Sequence, residues 1–272
     1  MPDFARDRDR KRKALLIGND NYGKLGFLKP LGGCRNDVTD LEKELKKMEF
    51  AVNKVFDGTK REMETNIRQF NENIEAGDMI VFSFSGHGSE LDDENILYPV
   101  DTSTVSDLEQ LHTVSIKAQN VFENMLKKKP YFVLFILDCC RGYDHEPFIN
   151  QQNQFPKSRG LARMEGPKQN HQVRGLPPPS WQTVLACRTG ELAKETNSDR
   201  RNGRLTFHLL QYISLREHIG DIITKVCRDV INNTDQDQTP HHYSSFTNGD
   251  ICLNKHGCYS EGPHEIILLC FH

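Results

Sequence analysis

The stretch Tyr131-Phe-Val-Leu-Phe-Ile-Leu137 is the longest apolar run of the chain, and Asp138, Cys139 and Cys140 follow it at once. A short continuous run of aromatic and β-branched residues is typical of a strand that is buried on both faces. Such a strand belongs in the middle of a sheet with helices on either side. The run therefore predicts the central strand of an α/β protein.

Strand and helix patterns alternate outward from this run. Further strands are predicted at Lys13 to Gly18, Ala51 to Phe56, Met79 to Phe84 and Gln182 to Ala186. Apolar residues at helical spacing predict helices within Val38 to Met48, Met63 to Ile74, Ile116 to Met125, Leu205 to Leu215 and Ile219 to Val230. Asn36 and Asp37 are the candidate caps of the first helix. The alternation predicts an α/β three-layer sandwich with a mainly parallel central sheet flanked by helices.

The composition excludes several classes of partner. With 35 basic and 38 acidic residues among 272, the chain has a formal charge of -3 and lacks the broad basic field of a nucleic-acid-binding protein. No apolar run approaches the roughly 18 residues of a membrane span, and the charged amino terminus lacks the apolar stretch of a secretory signal. The eight cysteines form no regular framework, which favours a reduced compartment. We expect a cytoplasmic protein, with the nucleus as an alternative because of the basic run between Arg6 and Lys13.

Two residue types that can act together in catalysis follow predicted strands. His87 lies in Ser85-Gly-His-Gly88, and Cys140 follows the central strand. The carboxyl ends of parallel strands meet at one edge of a sheet, where ligands bind. An imidazole can activate a thiol and return its proton to a leaving amine. The pair is therefore a candidate catalytic dyad, although an inert core thiol and a buried histidine bonded to a backbone carbonyl are the ordinary alternatives.

The strand period favours Cys140 over Cys139 as the nucleophile. Residues two apart on a strand share a face, so Asp138 and Cys140 would point together while Cys139 points away. The backbone amides of Gly88 and Cys140 are the candidate oxyanion donors. A redox role for the vicinal cysteines lacks the Cys-x-x-Cys spacing and leaves His87 unexplained.

These motifs resemble those of the caspase, paracaspase and metacaspase superfamily. Ser-Gly-His-Gly precedes Asp-Cys-Cys-Arg-Gly, and the separation of His87 and Cys140, 140 − 87 = 53 positions, is close to the separation of about 50 in caspases. Similar segments are Ala14-Leu-Leu-Ile-Gly-Asn19, Gly33-Cys-Arg-Asn-Asp37, Tyr98-Pro-Val-Asp101, Leu185-Ala-Cys-Arg-Thr-Gly-Glu-Leu-Ala193, Gln238-Thr-Pro240 and Ser244-Ser-Phe-Thr247. The resemblance implies a cysteine endopeptidase that acts through an acyl-enzyme, without a required cofactor, as a monomer or homodimer.

The resemblance also suggests a division of the chain. We assign a disordered basic arm at 1–12, a large-subunit-like catalytic part at 13–142, a flexible linker at 143–181, a small-subunit-like part at 182–253 and an atypical tail at 254–272. The linker is polar, contains Pro177 to Pro179 and is far longer than the usual connection of about 4–6 residues.

The family pattern implies the substrate specificity. Metacaspases and paracaspases have acids at the positions of Asp37 and Asp138, where they bind a basic side chain, and Glu191 is a weaker candidate for the same pocket. This implies protein or peptide substrates that are cleaved after Arg, with Lys second. On position alone, a helix cap for Asp37 and a strand-end hydrogen bond for Asp138 are equally good interpretations. An Asp-specific caspase is the alternative, although such enzymes have Gln at the place of Asp138.

Three further expectations concern metals, self-processing and activity. Asp92, Asp93 and Glu94 resemble the clustered acids through which metacaspases bind Ca²⁺, but a solvated acidic turn is the preferred interpretation. We expect no structural metal at Cys252, Cys258, His264 and Cys270, which lack a Cys-x-x-Cys pair. Basic residues in the linker suggest that the enzyme cleaves itself there.

The alternative to a peptidase, from another class of function, is a catalytically silent scaffold with the same fold.

Overall fold

The computed structural model describes residues 10–22, 28–91, 94–103, 105, 108–139, 164, 166, 178–188, 201–234, 237–247, 249–256 and 258. The strands are β1 Arg12–Gly18, β2 Ala51–Phe56, β3 Met79–Gly86, β4 Gly88–Leu91, β5 Glu94–Leu97, β6 Ile116–Lys117, β7 Phe132–Cys139, β8 Ser180–Leu185 and β9 His241–Ser245. The helices are α1 Cys34–Lys47, α2 Lys60–Glu72, α3 Leu108–Val114, α4 Ala118–Leu126, α5 Arg204–Tyr212 and α6 Ile219–Asn232.

The central sheet has six strands in the order β2-β1-β3-β7-β8-β9. The first five of these strands run parallel, and only β9 is antiparallel to its neighbour β8. Helices cover both faces, since alternate residues of β7 enter two separate apolar clusters. Leu134 and Ile136 pack with α1, α5 and α6, whereas Val133, Phe135 and Leu137 pack with α2 and α4. The predicted three-layer α/β sandwich is confirmed.

Several short elements were not predicted. Strands β4, β5 and β6 form a separate antiparallel sheet, and the helix expected from Ile116 begins instead at Ala118, after the two residues of β6. Strand β9 has the sequence His-His-Tyr-Ser-Ser and is only partly buried. Such short or polar segments have no apolar periodicity, because their pairing depends on a neighbouring strand rather than on burial of one face.

The first helix begins earlier than expected. The N-cap residue is Gly33, which has no side chain to make a capping bond. The prediction that Asn36 or Asp37 caps this helix is therefore wrong. The carboxylate of Asp20 caps the helix from the loop after β1, accepting bonds from the Cys34 and Arg35 N–H groups at 3.0 and 3.1 Å. A carboxylate at a helix amino terminus also meets the positive end of the helix dipole. Asp37 is therefore not the residue that caps this helix.

Two further features concern the cysteines and the stretch proposed as a linker. Cys252 and Cys258 form a disulfide, whereas the irregular cysteine spacing favoured a reduced compartment. Most of residues 143–181 lie outside the described residues, but Met164 within this stretch is fully buried and its carbonyl accepts a bond from Thr183. Among the described residues, no helix combines the length and apolar character that crossing a bilayer requires.

Candidate active site

Three neighbouring strands end at one edge of the central sheet. The register pairs Ser85 of β3 with Gly18 of β1 and with Asp138 of β7, and it pairs Gly86 with Cys139. His87 follows Gly86 directly, so it leaves the sheet beside the end of β7. Cys140, the next residue after β7, lies outside the described residues.

The imidazole of His87 is held in one orientation. The ring nitrogen Nε2 lies 2.8 Å from the backbone oxygen of Lys29, and the residue is 3% exposed. Since a carbonyl oxygen only accepts, this contact assigns the proton of the neutral ring to Nε2 and leaves Nδ1 as the basic nitrogen. The Tyr22 ring packs edge-on against the imidazole, with 4.6 Å between ring centroids. This tautomer is suited to accepting a proton from a thiol.

The two glycines beside His87 are required by close packing. A Cβ on Gly86 would lie 2.5 Å from the Tyr22 hydroxyl, and one on Gly88 would lie 2.8 Å from both the Cys139 Sγ and the Ile96 carbonyl. Tyr98 N–H donates to the His87 carbonyl, so His87 and Tyr98 form a hydrogen-bonded pair of the antiparallel ladder. The next pair, Gly88 and Leu97, is therefore a non-hydrogen-bonded pair, in which the N–H groups point away from the partner strand. The Gly88 amide therefore faces away from β5, as an oxyanion donor must.

Asp138 and Cys139 point to opposite faces of the sheet, as the strand period predicts. The Asp138 carboxylate reaches α5, whereas Cys139 belongs to the apolar cluster that contains α2 and α4. The Cys139 side chain is buried against Gly88. It has the surroundings of a packing residue.

The two acids proposed for substrate recognition lie together. Asp37 accepts bonds from the Ser85 hydroxyl at 2.7 Å and the Gly203 N–H at 2.9 Å. Asp138 accepts two bonds from Thr206, one from its hydroxyl at 2.7 Å and one from its N–H at 3.1 Å. A Cβ on Gly203 would lie 2.8 Å from the Asp138 Oδ2 and 3.1 Å from the Asp37 Oδ2. Only a glycine fits between these two carboxylates.

Burial and mutual repulsion make ionisation of the acid pair unfavourable. Desolvation, with the Asp138 charge as a second cause, raises the pKa of Asp37 to about 7. Desolvation also raises the pKa of Asp138, although its bonds from Thr206 oppose the effect. Near neutral pH the pair is therefore prepared to give up a proton when a cation approaches it.

The raised pKa of Asp37 predicts a loss of stability as pH rises from about 4 to about 7. The unfolded chain, with a carboxyl pKa near 3.8, releases its proton first, so the folded state binds the extra proton in this window. Above about pH 7 the penalty is fully present. Urea unfolding of the wild type and Asp37→Asn across this window should show a shallower decline for the variant. Parallel curves for the two proteins would contradict the assignment.

Other predicted site residues are placed differently or not described. The Glu94 carboxylate is 2.8 Å from the Lys117 ammonium, and it lies outside any cluster of three or more metal-ligating residues in the described part of the chain. Asp92, Asp93 and Glu191 lie outside the described residues. Cys252 and Cys258 are bonded to each other, so their sulfurs are not zinc ligands in this structure.

Several residues of the site were not predicted from the sequence. The structure adds Tyr22 and the Lys29 carbonyl beside His87, and Gly203 and Thr206 beside the acids. Ser85 was visible inside the Ser-Gly-His-Gly motif, but its bond to Asp37 was not. Thr206 lies 68 residues from Asp138, and no local pattern joins them.

The mainly parallel sheet, in which β1, β3 and β7 end side by side, has the architecture of the caspase-like class of cysteine peptidases. The family described as "Peptidase_C14: Caspase domain" matches residues 11–250. This match covers most of the chain, and the chain belongs to that family.

The curated relatives include paracaspase and metacaspase types. The human mucosa-associated lymphoid tissue lymphoma translocation protein 1 is 32% identical over 133 residues, covering 48% of this chain and 15% of that protein. Metacaspase-1A of Aspergillus terreus is 25% identical over 178 residues, covering 57% of this chain and 42% of that protein. The chain thus spans less than half the length of these relatives.

A solved structure with a similar fold is protein GSU0716 from Geobacter sulfurreducens. The TM-score is 0.59 at 16% identity, and the match covers 86% of this chain and 93% of that one. At this identity the likeness concerns the fold alone.

Proposed function

We propose that this protein is a cysteine endopeptidase that cleaves peptide bonds after Arg, with Lys second, through Cys140 and His87. Membership of the caspase domain family supports the class of enzyme. The observation that carries the specificity is the buried pair Asp37 and Asp138 at the strand edge from which His87 emerges.

The proposed reaction begins with proton transfer from the Cys140 thiol to His87 Nδ1. The thiolate attacks the carbonyl carbon of the scissile bond, and the amides of Gly88 and Cys140 stabilise the negative oxygen. His87 then returns the proton to the leaving amine, so the C–N bond breaks and a thioester remains on Cys140. A water molecule, deprotonated by the same imidazole, hydrolyses this acyl-enzyme and restores the thiol.

The acid pair explains the proposed preference for Arg. A guanidinium is always charged and presents a planar fork of N–H groups, so it can bond two carboxylates at once. Its charge would lower the pKa of both acids and relieve their mutual repulsion. An Asp side chain in the same place would instead add a third buried acid.

A panel of fluorogenic peptides that differ only in the residue before the scissile bond tests this proposal. Peptides ending in Arg should be cleaved fastest, those ending in Lys more slowly, and those ending in Asp not at all. Preference for Asp would overturn the pocket assignment. The assay should be run with and without Ca²⁺, because the calcium expectation for the acidic turn remains a proposal.

A catalytically silent scaffold is the second candidate, and one observation favours it. Asp37 and Asp138 bond Gly203 and Thr206 at the start of α5, so both acids also fasten this helix to the sheet edge. An arginyl electrophile that attacks thiols separates the two functions. A Cys140 adduct, located by mass spectrometry, supports the peptidase, and the absence of an adduct under all activating conditions supports the scaffold.

Self-cleavage within residues 143–181 is a further prediction. This segment contains the basic residues Lys157, Arg159, Arg163, Lys168 and Arg174, which match the proposed specificity. Purified wild-type protein should convert into a large and a small fragment, whereas Cys140→Ala should stay intact. Equal cutting of both proteins would point to a contaminating protease rather than to self-cleavage.

A further inference from the structure

The Tyr22 hydroxyl occupies an unusual position in the backbone pairing next to His87. Strands β4 and β5 pair Gly88 with Leu97, and the register places His87 opposite Tyr98. A regular antiparallel pair of this type exchanges two backbone bonds. Tyr98 N–H does donate to the His87 carbonyl at 3.0 Å.

The second bond of that pair passes through the tyrosine. His87 N–H donates to the Tyr22 hydroxyl oxygen at 2.9 Å, and the hydroxyl donates to the Tyr98 carbonyl at 2.9 Å. The hydroxyl is therefore inserted where a direct bond would close the ladder.

The surroundings hold the hydroxyl in this place. Tyr22 is 1% exposed, and burial raises the pKa of its hydroxyl well above the usual value, so it remains a donor. Gly86 leaves the space that the hydroxyl needs, since a Cβ there would lie 2.5 Å from it. The Asn19 amide also donates to the Tyr98 carbonyl, at 3.3 Å, which fixes the acceptor of the Tyr22 bond.

The two residues before Tyr22 are fixed by backbone hydrogen bonds. The Asp57 carboxylate accepts bonds from the N–H groups of Asp20 and Asn21 at 2.8 and 3.0 Å. Asp20 in turn caps α1. These bonds hold the backbone directly before Tyr22, and the tyrosine side chain itself is buried.

We propose that Tyr22 is a positioning residue that sets the His87 backbone, and with it the imidazole, for reaction with Cys140. This inference rests on the proposed peptidase function. Without the hydroxyl, His87 N–H either loses its partner or closes directly onto Tyr98, and both outcomes move the ring. Since a displacement of about 1 Å can cost about 10²-fold in rate, a loss of that order is expected.

The test compares Tyr22→Phe with Ser89→Ala in the full chain. The Ser89 control removes a buried hydrogen bond of the same cluster, between Ser89 Oγ and the Tyr98 hydroxyl at 2.6 Å, without touching His87. Active sites are counted with an arginyl electrophile, and kcat and KM are measured for an arginyl peptide. The expected result is a fall in kcat of about 10²-fold for Tyr22→Phe, with KM unchanged and the Ser89 variant close to wild type.

A second measurement separates positioning from general weakening of the fold. The pH profile of Cys140 alkylation by iodoacetamide reports how far the imidazole promotes ionisation of the thiol. In Tyr22→Phe this profile should shift toward that of an ordinary thiol. Unchanged kcat and an unchanged profile, or equal losses in both variants, would overturn the proposal. If His87→Ala also keeps full activity, the peptidase mechanism itself fails, which is a distinguishable outcome.

Discussion

Cys140→Ala is expected to lower kcat/KM for an arginyl peptide by on the order of 10⁴-fold or more, and His87→Ala by a similar factor. Removing either member of a nucleophile and base pair removes the covalent route, and the remaining member has no independent function. The losses should therefore be strongly non-additive, with the double variant hardly worse than either single one. Steady-state kinetics with counted active sites measure all three.

The neighbouring cysteine provides the matched control. Cys139→Ala removes a sulfur one residue away, and this side chain is buried against Gly88 on the face of the sheet opposite to Asp138. It should lose some stability through the cavity it leaves while keeping most of its activity. An inactive Cys139 variant beside an active Cys140 variant would reverse the assignment of the nucleophile.

Asp37→Asn and Asp138→Asn are expected to lower kcat/KM for arginyl peptides by roughly 10² to 10³-fold each, because truncating one partner of a buried charge pair costs about 2–5 kcal/mol. Both substitutions keep the shape of the side chain and an oxygen that can accept the Gly203 or Thr206 bonds. Activity toward a peptide with a neutral residue before the scissile bond should change much less. The loss is thus one of specificity rather than of the catalytic pair.

A third acid, which lies on the same helix as Asp37, serves as the control for these variants. Asp40 lies on α1 near Asp37, but its carboxylate pairs with Arg201 and Lys43 and accepts a bond from Asn202. Asp40→Asn should leave the ratio of arginyl to neutral cleavage unchanged. An unaltered ratio in all three variants would contradict the proposed pocket.

The acid pair also links recognition to folding. Asp37 and Asp138 meet α5 through Gly203 and Thr206, which belong to the second half of the chain. Because desolvation raises the pKa of both acids, either Asn variant should unfold at a higher urea concentration than the wild type at pH 8. Such a gain in stability beside a loss of arginyl cleavage is typical of functional sites, where ionisable groups are buried for recognition.

The sequence by itself determined the main strands and helices, and it was the source of the proposal that His87 and Cys140 form a dyad. Apolar runs located the inner parallel strands β1, β3 and β7, since a strand buried on both faces must be apolar throughout. The strand period also separated Asp138 from Cys139 correctly, because alternation needs no knowledge of neighbouring strands. The motifs around His87 and Cys140 were local and therefore readable.

Only the tertiary structure decided which distant groups meet. The capping of α1 by Asp20, the bonds from Gly203 and Thr206 to the acid pair, and the Tyr22 hydroxyl beneath His87 join residues far apart in the chain. Hydrogen bonds of this kind leave no periodic trace, because they depend on where the sheet edge brings each loop. The raised pKa of Asp37 has the same origin, since burial and a second carboxylate exist only in the folded chain.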